Sequence, residues 1–236
     1  MMSLSKSESG TAEVETPETV QTAAWKGDFG REYTDRNTFE ATVLNSLYLK
    51  NYGLTRTAIN ERFLRGIPKD ASILEVGCNT GNQLILLQQM GYSNLSGVEL
   101  QPYALELARE RTCNISLLQG SALALPYEDA AFDVVFTSGV LIHIAPGDLP
   151  RAMDEIHRCA QSYVWGMEYY AADVTEVNYR NHGGLLWKMD YARRYLERFA
   201  DLELIQEQRL PYLENANVDT VFLLRKKQLS ASPEAR

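Results

Sequence analysis

The sequence predicts an α/β protein with a mostly parallel sheet and helices on both faces. From Ala71 onward, short apolar runs of strand length alternate with longer segments of helical periodicity. A glycine-rich turn, "GCNTG", follows the first run, as at the carboxyl end of the first strand in many parallel sheets. The 236 residues, 45% of them hydrophobic, can bury one substantial core.

The segment before the sheet is predicted to be a helical cap. Residues 1–20 are rich in Ser, Thr and Glu and contain no aromatic residue, so we expect a disordered tail. The cap covers residues 21–70, where apolar residues at helical spacing between Thr38 and Phe63 predict two helices. Residues 71–228 are the predicted main domain, and residues 229–236 a C-terminal tail.

The elements of the main domain follow from its apolar runs and from the residues that interrupt them. The predicted strands are "SILEV", "LSGVEL", "ISLLQG", "FDVVFTSG", "SYVWGMEYY", "LELIQEQRL" and "VDTVFLLRKK". The predicted helices are "GNQLILLQQM", "PYALELARER", "DLPRAMDEIHRCA" and "YARRYLERFA". Gly91 stops the first helix, and Pro102 lies in the first turn of the second. We expect the last two strands to form an antiparallel hairpin at the sheet edge.

Composition and charge exclude several classes of function. The net charge of −8 argues against nucleic acid as a partner, because no basic surface is available for a phosphate backbone. The three cysteines are far apart and odd in number, which indicates reduced thiols, no metal site and a cytoplasmic location. The sequence has neither a signal peptide nor an apolar run long enough for a membrane span. We therefore expect small molecules as partners; the sequence does not predict an oligomeric state.

The glycine-rich turn does not fit the two common phosphate-binding patterns. A dinucleotide turn needs glycine at its first, third and sixth positions, which are here Gly77, Asn79 and Asn82. A P-loop needs Lys followed by Ser or Thr, and neither pair follows these glycines. Asn79 can still adopt a positive φ, because Asn tolerates the left-handed region better than most residues.

The stretch "ILEVGCNTG" resembles the first motif of class I S-adenosylmethionine-dependent methyltransferases, with Asn79 at the middle glycine position. The resemblance implies a Rossmann-like, seven-stranded methyltransferase fold and S-adenosylmethionine as the cofactor, without a metal. In that family an acid at the end of the second strand, here Glu99, accepts hydrogen bonds from the ribose hydroxyls. "QGSALALPYEDAAFDVVFTSG" resembles the motifs beside the adenine, although Ser121 stands where the family often has Asp, so that the backbone of Ala122 is an alternative contact. The residues implied at the cofactor are Glu75, Gly77, Asn79, Gly81, Glu99, Leu100, Ser121, Ala122, Ser138 and Gly139.

A narrower resemblance leaves two chemistries open. "WKGDFGREYTDRN", "GVELQPYALELAR", "GVLIHI", "MEYY" and "LWKMDYARRYLERF" are similar to methylases associated with pseudaminic acid biosynthesis, a group that includes azetidine-2-carboxylate synthase-like enzymes. In that resemblance S-adenosylmethionine is either a methyl donor or the sole substrate, cyclised on itself with release of methylthioadenosine. We favour cyclisation, with methyl transfer to a sugar or amino-acid derivative as the alternative. A binding protein without catalysis is a third hypothesis.

Aromatic side chains and one histidine are the catalytic candidates. Cyclisation needs a dry pocket that bends the methionine arm, and aromatic rings attract the sulfonium. The rings that precede the sheet or follow its strands supply Tyr33, Tyr169 and Tyr179 as candidates. His143 lies on an apolar stretch, where it is a base, a residue that orients the substrate or a packed core histidine, and we favour the packing role.

Overall fold

The computed structural model describes residues 18–227. The predicted tails therefore lie outside the described residues, except that residues 18–20 lead into the first helix, whose N-cap is Thr19. Among the described residues no helix is both long and apolar enough to cross a membrane.

Helices and strands alternate along most of the chain. The helices are α1 (Val20–Lys26), α2 (Asp28–Arg36), α3 (Ala41–Tyr52), α4 (Arg56–Phe63), α5 (Asn82–Gln89), α6 (Pro102–Arg111), α7 (Leu149–Cys159) and α8 (Tyr191–Arg198). The strands are β1 (Ser72–Val76), β2 (Asn94–Glu99), β3 (Ser116–Gln119), β4 (Phe132–Ser138), β5 (Ala160–Tyr169), β6 (Thr175–Glu176), β7 (Trp187–Lys188), β8 (Leu202–Pro211) and β9 (Val218–Lys226).

Seven strands form one sheet in the order β3-β2-β1-β4-β5-β9-β8. The first five are parallel, whereas β9 pairs antiparallel with both β5 and β8. The predicted Rossmann-like methyltransferase fold, with its mostly parallel sheet, antiparallel edge and N-terminal helices, is therefore confirmed. Because parallel strands end at one edge, the loops after β1, β2, β4 and β5 meet there.

Two apolar layers hold helices against opposite faces of the sheet. Ile73, Phe136 and Trp165 face α4, α5 and α6, and all three are almost fully buried. The opposite face, which includes Leu74 and Val135, packs against α7 and α8. Residues adjacent on β1 therefore serve different layers, as the period of two along a strand requires.

The cap contains two helices that the sequence did not predict. Only α3 and α4 were expected, whereas α1 and α2 form a helical pair upstream of them. Gly27 separates this pair, and glycines obscure helical periodicity. Gly30 permits the tight packing between them, because a Cβ there would lie 1.9 Å from the carbonyl oxygen of Trp25.

A small antiparallel ribbon, β6 with β7, also escaped prediction. The segment between its strands reverses at Arg180 and Asn181, whose φ values are 54° and 67°. Two-residue strands are too short to show an alternating pattern in sequence. The ribbon carries the loop that reaches toward α2 at the carboxyl edge of the sheet.

Candidate functional site

A cavity of about 520 Å³ lies at the carboxyl edge of the sheet. Most of the predicted site residues line it: Tyr33, Glu75, Gly77, Asn79, Glu99, Leu100, Ser121, Ala122, Ser138, Gly139, His143, Tyr169 and Tyr179. Gly81 is not among the residues at its wall. The volume is in the range of small-molecule sites in proteins.

The glycine-rich turn uses the left-handed region at three alternating positions. Gly77, Asn79 and Gly81 have φ values of 72°, 46° and 76°. Asn79 therefore takes the conformation that glycine would otherwise supply, and its side-chain oxygen accepts the Thr80 N–H at 2.7 Å. A Cβ at Gly77 would lie 2.6 Å from Cγ2 of Val140, so the close approach to the next loop also requires glycine.

Gly81 serves the turn and the packing of α5. It is the N-cap residue of that helix, and a Cβ there would lie 3.1 Å from Thr112 Cγ2 at the end of α6. A place for its backbone beside the cofactor stays a prediction. Its positive φ alone accounts for glycine at this position.

Glu99 connects the turn to the second strand. Its Oε2 accepts the Asn79 N–H at 2.7 Å, and its Oε1 accepts the Gln101 N–H at 2.8 Å. Burial raises the pKa of this carboxyl, although the backbone N–H groups act in the opposite direction. Each carboxylate oxygen has two lone pairs, so both oxygens can still accept a bond from a ligand.

The loop after β3 forms the far wall of the cavity. Ser121 is buried, and its Oγ accepts the Leu123 N–H at 3.2 Å. Its hydroxyl proton is then free to be donated to a ligand. The neighbouring Gly120 N–H binds the carbonyl oxygen of Glu99 at 3.0 Å, which fixes this wall to the end of β2.

His143 ends the 3-10 turn Leu141–His143 that follows β4. Its Nδ1 lies 2.8 Å from the carbonyl oxygen of Leu185. A carbonyl oxygen only accepts, so Nδ1 carries the proton and Nε2 has a lone pair in the neutral ring. Burial lowers the pKa of His143 to about 4, so the ring is neutral at pH 7. The residue is thus both buried in packing and able to accept a hydrogen bond at Nε2.

Aromatic rings from the cap and from the β6–β7 loop meet above the cavity, and we call this cluster the aromatic roof. It comprises Trp25, Phe29, Tyr33, His143, Tyr179 and His182. The Trp25 ring lies 4.4 Å from that of His143, and the Phe29 ring 6.0 Å from that of Tyr179. Three of the four predicted catalytic residues are therefore brought together.

Tyr169 lies in a different part of the cavity from the roof. Its ring centroid is 6.2 Å from that of Tyr212, and Lys188 Nζ is 5.2 Å from it. The predicted catalytic set therefore divides into a roof group and a group at the ends of β5 and β9.

Three buried charged residues near the cavity were not predicted from the sequence. Arg56 on α4 is fully buried, and its Nη1 donates to Ser138 Oγ at 3.2 Å and to Tyr48 OH at 3.0 Å. The available signal was its spacing, because Arg56 is three and seven residues before the buried Ile59 and Phe63, on the apolar face of α4. The other two are Glu168, near the end of β5, and Asp219, near the start of β9, both beside the same edge of the sheet.

Glu168 holds the turn that carries His143. Its carboxylate accepts the N–H groups of Val140 at 3.2 Å and of Ile142 at 3.4 Å. It is 1% exposed, and burial raises its pKa to about 7. The sequence offered a weak signal, since an acid at the carboxyl end of a buried strand is unusual outside a site.

Comparison with known proteins agrees with this architecture. Residues 73–162 match the family profile described as "Methyltransferase domain". This segment contains β1 through β4, the glycine-rich turn, Glu99 and the turn of His143. Over these residues the chain is similar to known methyltransferase domains.

The curated relatives are similar to part of this chain, over part of their own length. A demethylmenaquinone methyltransferase of Chlorobaculum tepidum is 30% identical over 115 residues, which are 49% of this chain and 47% of the relative. One from Staphylococcus aureus is 34% identical over 98 residues, 39% of this chain and 40% of the relative. The chain thus spans less than half the length of these relatives.

Solved structures share the fold over most of the chain. The Burkholderia thailandensis 1,6-didemethyltoxoflavin-N1-methyltransferase, solved with 1,6-didemethyltoxoflavin and S-adenosylhomocysteine, has a TM-score of 0.65 at 18% identity and covers 91% of this chain and 94% of its own. The PH0226 protein of Pyrococcus horikoshii has a TM-score of 0.61 at 17% identity, with 83% and 95% covered. At these identities the likeness concerns the fold.

Proposed function

We propose that this protein binds S-adenosylmethionine at the glycine-rich turn and transfers its methyl group to a small molecule. The observation that carries the proposal is the buried carboxylate of Glu99 beside the turn, in the segment that is similar to methyltransferase domains. Such a carboxylate can accept bonds from both ribose hydroxyls. The adenine would then lie toward Ser121 and Ala122, and the methionine arm toward Ser138 and Gly139.

The buried carboxyl of Glu75 suits the methionine end of the cofactor. It is 3% exposed, and its Oε2 has no hydrogen-bond partner within residues 18–227. Burial raises its pKa well above the usual range, while the nearby Arg56 acts in the opposite direction. A hydrogen-bond donor of the ligand beside Glu75 would supply the partner that Oε2 lacks.

His143 is the proposed contact to the methyl acceptor. Its neutral ring offers the Nε2 lone pair at the roof, where it can accept a hydrogen bond from an acceptor O–H or N–H. A ring with a pKa of about 4 is a weak base, so it orients the acceptor more effectively than it removes a proton. The acceptor therefore needs a nucleophile that is already reactive at neutral pH.

The named relatives support a small acceptor. Their names specify demethylmenaquinone and 1,6-didemethyltoxoflavin, both small molecules. The cavity volume of about 520 Å³ and the net charge of −8 also favour a small ligand over nucleic acid. A sugar or amino-acid derivative is the acceptor class that the sequence suggested.

Cyclisation of S-adenosylmethionine to azetidine-2-carboxylate is the second candidate, and the aromatic roof favours it. Trp25, Tyr33 and Tyr179 surround His143, so that part of the cavity is lined by ring faces. In this reaction the α-amine attacks the γ-carbon, the bond from that carbon to sulfur breaks, and methylthioadenosine leaves with the electron pair. Ring faces would stabilise the sulfonium and exclude water during the attack.

Mass spectrometry of the products separates the two candidates. The purified full-length protein is incubated with S-adenosylmethionine alone, and then with added sugar and amino-acid acceptors. We expect S-adenosylhomocysteine to accumulate only when a suitable acceptor is present. If S-adenosylmethionine alone gives equal amounts of methylthioadenosine and azetidine-2-carboxylate, the proposed reaction is cyclisation and methyl transfer is rejected. Failure of calorimetry to detect binding of S-adenosylhomocysteine would reject both.

A further inference from the structure

Four tyrosines enclose one end of the cavity, and we call this group the tyrosine chamber. It consists of Tyr48 and Tyr52 on α3, Tyr169 at the end of β5, and Tyr212 after β8, and all four line the cavity. Neighbouring ring centroids are 5.4 Å apart for Tyr48 and Tyr52, 4.7 Å for Tyr52 and Tyr212, and 6.2 Å for Tyr169 and Tyr212. The rings thus form a chain of contacts around this end of the cavity.

The chamber lies on the side of the cavity away from Glu99. Glu99 ends β2, on one side of β1, whereas β5 and β9 are the second and third strands on the other side. Neighbouring strands are about 4.8 Å apart, so the chamber is displaced from the turn after β1 by about 10–15 Å. A cofactor whose ribose binds Glu99 would direct its methionine arm, and any acceptor beyond it, toward this chamber.

Asp219 provides the chamber with a carboxylate. It is 6% exposed, and its Oδ2 accepts the Tyr52 hydroxyl at 2.6 Å and the Tyr212 hydroxyl at 3.5 Å. Its Oδ1 is buried and accepts no hydrogen bond from any residue in the range 18–227. A buried carboxylate oxygen without a donor is unfavourable. A hydrogen bond from a ligand to this oxygen therefore contributes more binding free energy than a similar bond at the surface.

The nearby cations of the protein do not take this position. Arg56 directs Nε to Asn60 and Nη1 to Tyr48, Ser138 and Met167, and its buried Nη2 has no hydrogen-bond partner within residues 18–227. Lys188 donates to the side-chain oxygen of Asn217 at 2.5 Å. Both charges are close enough to lower the pKa of Asp219, yet neither forms an ion pair with it in the part of the chain that the structure describes.

Aromatic faces around a carboxylate are complementary to a cation that can also donate hydrogen bonds. We propose that the tyrosine chamber binds a protonated amine, held by Asp219 and the surrounding rings. The inference rests on the proposed function and specifies the ligand group for one end of that site. The amine belongs either to the amino-acid portion of the cofactor or to the acceptor, and the experiment below distinguishes these sources.

The first arm measures calorimetric binding of S-adenosylhomocysteine and of methylthioadenosine, which lacks the amino-acid portion, to wild type and Asp219→Asn. If the amine is the cofactor's, the variant should bind S-adenosylhomocysteine at least about 10-fold more weakly and methylthioadenosine equally well. Asp154→Asn is the matched control, because that carboxylate pairs with Arg198 on the surface.

The second arm compares butylamine with butanol, its uncharged analogue, as additives to the complex with S-adenosylhomocysteine. If the amine is the acceptor's, butylamine should raise the unfolding temperature of the wild-type complex more than butanol does, and Asp219→Asn should abolish the difference. If the variant does not fold, Tyr52→Phe takes its place with the opposite expected result. Asp219 then keeps its charge and loses the closer donor, so binding of the amine should become stronger in the arm that detects it, and an unchanged response would overturn the inference.

Equal responses to butylamine and butanol, together with unchanged S-adenosylhomocysteine affinity in the variant, would overturn the inference and leave the proposed function intact. Absence of S-adenosylhomocysteine binding to wild type would instead reject the proposed function itself. The two failures are therefore distinguishable from the wild-type measurements alone.

Discussion

At the scale of single residues, Glu99 has two tasks that use the same oxygen atoms. Each oxygen already accepts one backbone N–H, from Asn79 and from Gln101. These bonds orient the carboxylate before a ligand arrives, so the ligand does not bear the cost of ordering it. The remaining lone pairs are then available in fixed directions.

Replacement of Glu99 by Gln tests this arrangement. We expect the affinity for S-adenosylhomocysteine to fall by about 1.5–3 kcal/mol, because the ribose hydroxyls lose an anionic acceptor. Isothermal titration calorimetry measures the loss, and Glu106→Gln, an exposed acid on α6, is the control. Unchanged affinity in Glu99→Gln would remove Glu99 from the cofactor site.

At the scale of elements, the turn after β4 depends on a carboxylate from β5. Glu168 accepts N–H groups at both ends of the segment that leads to His143. The turn is further fixed where His143 donates to Leu185. A strand end, a short turn and the β6–β7 loop are therefore connected through two side chains.

The raised pKa of Glu168 predicts a pH-dependent stability. A carboxyl with a pKa of about 7 in the folded state and about 4.3 when unfolded keeps its proton longer in the folded state. Its contribution is therefore complete below pH 4.3 and is lost as the pH rises to about 7. We expect the stability of wild type relative to Glu168→Gln to fall by about 2–3 kcal/mol between pH 5 and pH 7.5.

Urea unfolding of both proteins at a series of pH values measures this difference. The comparison cancels the titration of Asp219, which is present in both and whose pKa burial raises to about 6. A difference that is constant from pH 5 to pH 8 would mean that Glu168 is ionised throughout this range.

At the scale of the whole molecule, one glutamine joins the cap to the sheet. Gln101 Nε2 donates to the carbonyl oxygens of Trp25, Lys26 and Gly27 at 2.8–3.1 Å. Its Oε1 accepts the Tyr103 N–H at the start of α6. The end of α1 is thus attached directly beside Glu99.

We expect Gln101→Ala to loosen the cap while the sheet remains folded. Loss of these bonds leaves the carbonyl groups at the end of α1 without their donor, so local opening becomes easier. Hydrogen exchange should accelerate in residues 20–36 and stay unchanged in β1 and β4. Gln119→Ala, at an exposed position, is the control. Exchange that increases equally in the sheet would indicate global destabilisation instead.

The sheet could be predicted from sequence because short segments with apolar residues alternate with segments of helical periodicity. The turn at Gly77 and the acid at Glu99 could be predicted as well, since spacing along the chain places both at strand ends. The missed residues depend on tertiary packing. The contacts of Arg56 and Asp219 depend on the packing of α3, α4 and β9 together, and no local sequence pattern predicts that packing.

For the aromatic roof, the sequence predicted single residues but not their contacts. Sequence supplied Tyr33, Tyr179 and His143 as separate candidates, and only the docking of α1 and α2 reveals that they meet. Tyr169 was grouped with them because it follows a strand, yet its neighbour is Tyr212. Whether a ring belongs to the roof or to the group around Tyr212 depends on the three-dimensional position of its element, which the sequence does not give.

The contacts of α1 with residues far along the chain restrict when the cap can fold. Gln21 donates to the carbonyl oxygen of Gly184, 163 residues later, and Trp25 packs on His143. On a ribosome, α1 and α2 emerge before the sheet, and both contacts can form only after Gly184 has been synthesised. Their docking is therefore among the late steps of folding, and a nascent chain truncated before Tyr179 carries Trp25 and Phe29 without the loop rings that contact Phe29.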